Sequence, residues 1–380
     1  MAISAGIAAW HLPFGTIADP WFAEPTATEV AGYTRCGDSA IWTGHYLAAE
    51  SYRYAVTRTP ESLDAVRRGI DGLWLLVEVT GQNRLARCAV PADSPWAEGI
   101  LSEERHHGAF DGTVNGARYR WIGNTSRDQY TGVFFGLSVA WDRVDDPAVR
   151  LTVADLVTRL LWRLRDDDWN VRMPDGRIVT TFAQRPDQQL ALLAIGRQVN
   201  PGQFAGHYRN ARFWSSGATA APIAVDVADD HSSYFKFNLD MLSMFALLRY
   251  EDESYYRWSY ERAYDLLRRT VDDHGNAHFQ AIDRAIRGPD AVRDESTREL
   301  LDQWLTRGRR DFAVDLRDEF DSCRHQDRAC SAIPVPRRVP TDFLWQRSPF
   351  LLYGGGSGRI EGAGIDYILP YWMSRFHGVL

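Results

Sequence analysis

Apolar residues recur at helical spacing in paired segments, each pair with its connections about 60 residues long, and a pair of that size cannot bury its apolar faces alone. The pairs are therefore expected to stack on one another. Asp38 stands where it can cap a first helix in CGDSAIWTGHYLAAESYRYAVT, whose Ile41, Ala48, Tyr52 and Val56 fall at helical spacing. Pro60 then opens a second helix through ESLDAVRRGIDGLWLLVEVTG, with Gly81 as its terminator. The pairing recurs in SRDQYTGVFFGLSVAWDRV and PAVRLTVADLVTRLLWRLRDD, the latter with a stripe of Val149, Val153, Leu156, Leu160 and Leu164.

Further pairs are expected at 188–199 with 203–214, 232–250 with 253–272, and 277–286 with 295–305, and a last helix in GIDYILPYWMSRFHG that Pro370 should shorten or kink. Between them, Asn115-Gly116 and Pro174-Asp175-Gly176 mark two small β-hairpins. No Gly/Ser linker or low-complexity tract divides the chain. The expectation is one all-α domain over residues 1–380, an (α/α)6-type toroid of helical hairpins with short β-hairpin insertions, on which residues 1–30 pack as an extended segment.

Composition removes several function classes. The net charge of −7 and the lack of a basic tail argue against nucleic acid as a partner, because phosphate binding needs a concentrated cationic face. No apolar run approaches the ~18 residues of a membrane span, and 45% hydrophobic residues exclude disorder. Only Lys236 among the 43 basic residues is lysine, a bias that reads as coding composition. The N-terminus lacks the positive region of a signal peptide, so the chain is expected to be cytoplasmic if Met1 is the native start and secreted if a signal was removed. Of the four cysteines, Cys323 and Cys330 are close enough in sequence for a local disulfide. No cofactor motif and no zinc-type Cys/His ladder occurs, and His106-His107, as neighbours, are expected to point apart rather than ligate one ion.

Two short segments echo each other. Asp38-Ser-Ala-Ile-Trp42-Thr-Gly and Asp128-Gln-Tyr130-Thr-Gly each place an aspartate at a helix start before an aromatic, a threonine and a glycine. This predicts that Asp38 and Asp128 sit at equivalent ends of two inner helices, facing one funnel. Two carboxyl groups held ~5–10 Å apart are what acid/base cleavage of a glycosidic bond requires. A second constellation, His231 and Tyr234 with Asn238 one turn later, offers a base and an acid for β-elimination beside a uronate carboxylate. His207, Tyr208 and Arg209 read as a cleft wall, and Trp345 and Arg347 flank a glycine run that reads as a flexible loop able to approach a ligand. Aromatic faces such as Trp42 and Tyr130 stack on sugar rings while neighbouring polar groups serve hydroxyls and carboxylates.

From about residue 30 to its end, the chain resembles bacterial proteins of the six-hairpin glycosidase-like (α/α) toroid class, on the runs GDSAIWTGHYLAAESYRYAVT, SRDQYTGVFFGL, PDGRIVTTF and IDYILPYWMSRFHG. That class includes unsaturated uronyl hydrolases, in which two inner-helix aspartates matter, and polysaccharide lyases, in which an Asn-His-x-x-Tyr-like motif matters. By position the resemblance implies Asp38 and Asp128 for the first. For the second it implies His231 and Tyr234, with Asp229-Asp230 standing where a lyase would offer Asn. The expected activity is glycoside hydrolysis of an acidic oligo- or polysaccharide by a monomer or homodimer. Asp128 would be general acid and Asp38 its partner, with Trp42, His45, Arg127, Tyr130, His207, Tyr208, Arg209, Trp345 and Arg347 binding substrate and no metal engaged. A polysaccharide lyase and a non-catalytic glycan-binding toroid are the alternatives.

Overall fold

The computed structural model describes residues 2–228, 234–323, 330–340 and 343–380; His231 lies outside them. The chain is mostly helical with small antiparallel sheets. A short helix α1 (Ala2–Gly6) runs into a single wide turn through His11. Strands β1 (Asp19–Phe22) and β2 (Val30–Thr34) follow, then α2 (Ser39–Thr57), α3 (Pro60–Glu78), β3 (Cys88–Pro91) and α4 (Ala97–Glu103). A hairpin of β4 (Ala109–Val114) and β5 (Ala117–Ile122) leads into α5 (Arg127–Arg143) and α6 (Pro147–Asp166). Another of β6 (Asn170–Arg172) and β7 (Ile178–Thr181) leads into α7 (Pro186–Val199), α8 (Pro201–Ser215) and α9 (Ala220–Ala228). Then come α10 (Lys236–Tyr250), α11 (Ser254–Val271), α12 (Ala277–Arg287), α13 (Ala291–Leu305), β8 (Arg310–Asp315), β9 (Tyr353–Glu361) and α14 (Ile365–Phe376).

The local reasons are the expected ones. Thr59 caps α3 by accepting the Ser62 N–H, with Pro60 in the first turn, and Asp146 does the same for α6 through Val149. The α6 stripe is wholly buried, each such side chain contributing about 1.5–3 kcal/mol. Asn115 and Gly116 both take positive φ (50° and 82°), the conformation of a two-residue hairpin turn that matches strand twist.

Two expectations need correction. The first residues are helical rather than extended, because Ile7 and His11 turn inward and are fully buried. The glycine run is not a loop but β9, the third strand in a sheet ordered β2-β1-β9-β8; Gly355, at φ 96°, lies so close to the Phe312 carbonyl that no Cβ would fit. Helix α14 holds Pro370 in its interior.

Helix contacts run from α2 to α5, α7, α10, α12 and α14, and α14 packs back on α2; α3, α6, α8, α11 and α13 lie against this inner set. The inner helices point the same way. Ile41 donates to Gln129 near the starts of α2 and α5, His45 meets Asn238 of α10, and Arg185 before α7 meets Asp240 of α10. At the far end Arg197 reaches the Tyr250 carbonyl, Tyr52 packs on Phe376, and Arg284 donates to the His377 carbonyl. One buried cluster from Ile7 to Met373 fills the space between them. The strands all lie in connections that lead into inner-helix N-termini, so they build walls at one end of the bundle.

Helices α2 and α5 touch at backbone distance. A Cβ on Gly44 would overlap the Gly132 carbonyl, one on Gly136 would overlap the Gly44 carbonyl, and one on Gly132 would meet Ile41. The glycines of the two echoed segments thus exist to let these helices approach. Gly44→Ala should therefore destabilise the fold by about 2–3 kcal/mol, since backbone on both sides must shift. Gly206→Ala, in α8 with open space at the added Cβ, should stabilise it by about 0.5–1 kcal/mol. Urea unfolding of the two variants beside the parent checks both signs.

Candidate functional site

The close α2–α5 contact brings the two echoed aspartates together. Asp38 ends a short turn (Cys36–Asp38) that precedes α2, and Asp128 is in the first turn of α5. Neither serves as a helix cap: Asp38 occupies the cap position without bonding a backbone N–H, and Ser126 precedes α5. Both carboxylates instead converge on Gln129, whose Nε2 lies 3.0 Å from Asp38 Oδ1 and 3.5 Å from Asp128 Oδ2. The amide is held because its Oε1 accepts the Ile41 N–H at 3.0 Å. The two carboxylate oxygens are therefore no farther apart than those two Nε2 distances laid end to end, which excludes the wider part of the ~5–10 Å range of paired carboxyl catalysis. Asp128 Oδ1 is buried with no hydrogen-bond partner among the described residues, an arrangement that is costly unless something else meets it.

Arg87 fixes the Asp38 side of the pair. Its guanidinium donates to the carbonyls of Gly37 (2.8 Å) and Asn124 (2.9 Å) and to Ser126 Oγ (2.6 Å), and lies 3.5 Å from Asp38 Oδ1. Cys36 and Cys88, the neighbours of Gly37 and Arg87, form a disulfide; Cys323 and Cys330 form the expected second one. The first closes a long loop, which in the chain-entropy description is worth about 4 kcal/mol. Arg35, with left-handed φ 58°, enters this turn, and Asn124, φ 53°, precedes α5.

Asp38 and Trp42 line a small cleft together with Asp19, Arg35, Arg307, Arg309, Phe343 and Asp366 among others. Asp128 is not among its lining residues. Arg35 pairs with Asp19 (3.1 Å), Arg307 with Asp366 (3.2 Å) and Arg309 with Glu361 (3.2 Å). Asp366 also accepts the Leu344 N–H, and burial raises its pKa, which makes it a third carboxyl of interest beside the pair. On the α7 side, Arg185 contacts Asp187, Asp226 and Asp240 at 2.5–2.7 Å, and burial pushes the Asp240 pKa up. Arg127 lies in the field of these groups, bonds the Thr181 carbonyl, and has its pKa lowered by burial.

Several expected substrate-binding residues lie elsewhere. His45 is fully buried beneath Trp42, between the Ile41 carbonyl (2.9 Å) and Asn238 (3.1 Å). Trp345, also fully buried, stacks on His45 at 5.1 Å and meets His278 at 4.8 Å; it fills the centre of the inner helices instead of facing a ligand. Tyr130 is a core residue whose hydroxyl meets the Leu85 N–H. Tyr208 is buried on Glu251 (2.7 Å) just beyond the C-terminal end of α10, the end opposite the aspartates. His207 packs on Trp162 in the outer layer, and Arg209 is exposed on α8. Helix α8 packs on the outside of α7, which removes the segment from the cleft. Tyr234 is buried, with its hydroxyl 3.1 Å from His274 Nδ1 and its pKa raised by burial, while its neighbour Phe235 leans on Trp42. Arg347 is exposed beside Phe343 and Arg307, next to the cleft.

Gln129, Arg87, Arg35, Arg307 and Asp366 went unread in the sequence. Gln129 had a signal, because Arg127-Asp128-Gln129 recurs as Arg185-Pro186-Asp187-Gln188 at the start of α7. The chain matches no family model and none of the curated proteins.

The buried His45 generates a prediction. Burial lowers its pKa from 6.5 to about 4, so the folded state keeps it neutral where the unfolded chain takes up a proton. Its contribution is full above pH 6.5 and is lost as pH falls toward 4, up to about 3 kcal/mol. Urea unfolding from pH 7 to pH 4 should show a shallower acid limb for His45→Gln than for the parent; parallel limbs would contradict it.

Proposed function

We propose that the inner helices close into an (α/α) toroid and that the chain is a carbohydrate-active enzyme, a glycoside hydrolase acting on an acidic oligo- or polysaccharide. The observation that carries this reading is the convergence of Asp38 and Asp128 on one fixed amide beside an aromatic and arginine-lined cleft. The succession of helix contacts that returns from α14 to α2 supports the toroid.

In this reading Asp128 protonates the glycosidic oxygen as the C–O bond breaks and Asp38, its partner carboxylate, bonds to the anomeric carbon; water then displaces Asp38, giving its proton to Asp128. The two carboxylates share the Gln129 amide and differ in that Arg87 lies beside Asp38. Trp42 lines the cleft but is buried, its ring packed on His45, Phe235 and Phe343. Arg35, Arg307 and Arg309 set guanidinium groups where a uronate carboxylate would bind, although their partners Asp19, Asp366 and Glu361 already balance much of their charge.

The test is a panel of neutral and uronate-containing oligosaccharides assayed for new reducing ends. Asp38→Asn and Asp128→Asn should each lower turnover by about 10²–10⁴-fold with the fold intact by circular dichroism. Full turnover in both variants would overturn the assignment, and Asp366→Asn tells whether the third carboxyl shares the work. A product with ultraviolet absorption from a new C=C bond would instead indicate β-elimination, and binding without cleavage would indicate a glycan-binding protein.

A further inference from the structure

We propose that Glu104, His106 and His107 form a binding site for a divalent transition-metal ion, Zn²⁺ foremost, attached to the backbone that carries Asp38. The proposal is independent of the hydrolase reading. The sequence argues against such a site, since adjacent histidines ordinarily diverge. Here the chain turns at the end of α4, and the His106 and His107 rings come to lie with centroids 3.8 Å apart. One ligand atom from each of the three side chains falls within 4.8 Å of the others.

Zinc bonds of ~2.0–2.2 Å to nitrogen and oxygen place tetrahedral ligands roughly 3.3–3.5 Å from one another. The three groups must settle to that spacing, and the exposed His106 side chain can rotate to reach it. The other two groups are already adjacent, and an ion would replace the proton they share and part them to ligand spacing. The Glu104 carboxylate is buried, its Oε1 accepts the Gly37 N–H at 2.8 Å, and its Oε2 lies 2.7 Å from His107 Nδ1. A carboxylate fixed by a backbone donor and bonded to a histidine is the kind of supporting arrangement that tunes metal ligands.

Donor chemistry selects the ion. Two imidazoles and one carboxylate suit Zn²⁺, Ni²⁺ or Cu²⁺, whereas Mg²⁺ and Ca²⁺ prefer all-oxygen sets. Three protein ligands leave a coordination position for water or for a fourth group. The seat is firm: α4 rests on a separate buried cluster of Cys36, Cys88, Val90, Ala97, Ile100 and Ile122, which includes both sulfurs of the disulfide beside Gly37. A metal bound through Glu104 would be one backbone hydrogen bond away from the residue preceding Asp38.

Isothermal titration of the full, untagged, chelator-treated chain with ZnCl₂ should show saturable uptake of one ion, and MgCl₂ should show none. His106→Ala and His107→Ala should each weaken zinc binding about tenfold or more. Because Glu104 is buried, Glu104→Gln is read only beside its circular dichroism spectrum, and the exposed His106→Ala keeps the test valid if that variant fails to fold. Absence of saturable zinc uptake, or uptake unchanged in the His106→Ala/His107→Ala double variant, would overturn the proposal.

Discussion

The backbone contact between α2 and α5 is the constraint from which the site follows. Two helices with ordinary side chains at the crossing stand 8–10 Å apart. With Gly44, Gly132 and Gly136 at the crossing, the carbonyl of one helix rests against the α-carbon of the other. Only at that separation does Gln129 reach both the Ile41 N–H and the Asp38 carboxylate, so the positions of Asp38 and Asp128 are set by side chains the helices lack.

Parallel inner helices then concentrate polar groups at one end. Asp38, Asp128, Asp187 and Asp366 all stand at or near N-termini, where the helix dipole favours negative charge. Arginines fill the spaces between them: Arg87 by Asp38, Arg185 among Asp187, Asp226 and Asp240, and Arg307 by Asp366. Each can serve several acceptors at once because the guanidinium is a rigid fork of donors. Below this polar layer, His45, Trp345, Phe343 and His278 pack ring against ring and close the centre of the bundle. The cleft itself has Trp42, Trp304 and Phe343 among its lining residues beside arginines and aspartates.

Elements with strong local signals were legible in the sequence. Periodicity, Pro60 and Pro147 at helix starts, and the Asn115-Gly116 turn act through neighbours a few residues away, and they placed most helices and two hairpins. Strands β1, β2, β8 and β9 were not legible, because β8 and β9 pair across the Arg310–Glu361 register and β1 meets β9 from residue 21 to residue 360. A glycine run has no strand propensity; its partners make it one. The aromatics misled for a related reason. Tyr130, Tyr208 and Trp345 have the composition of a sugar platform, and burial alone distinguishes a platform from a core residue.

The sequence by itself determined the helical hairpins, the echo that singled out Asp38 and Asp128, and the short Cys323–Cys330 bridge, since each rests on contacts between near neighbours or on repetition along the chain. The tertiary structure decided that Gln129 and Arg87 hold the pair and that His45 is sealed inside. It also decided that Cys36 finds Cys88, and that two adjacent histidines come together beside one carboxylate. These outcomes depend on how closely distant segments pack and on which faces lose water. Neither quantity is a property of any single stretch of chain.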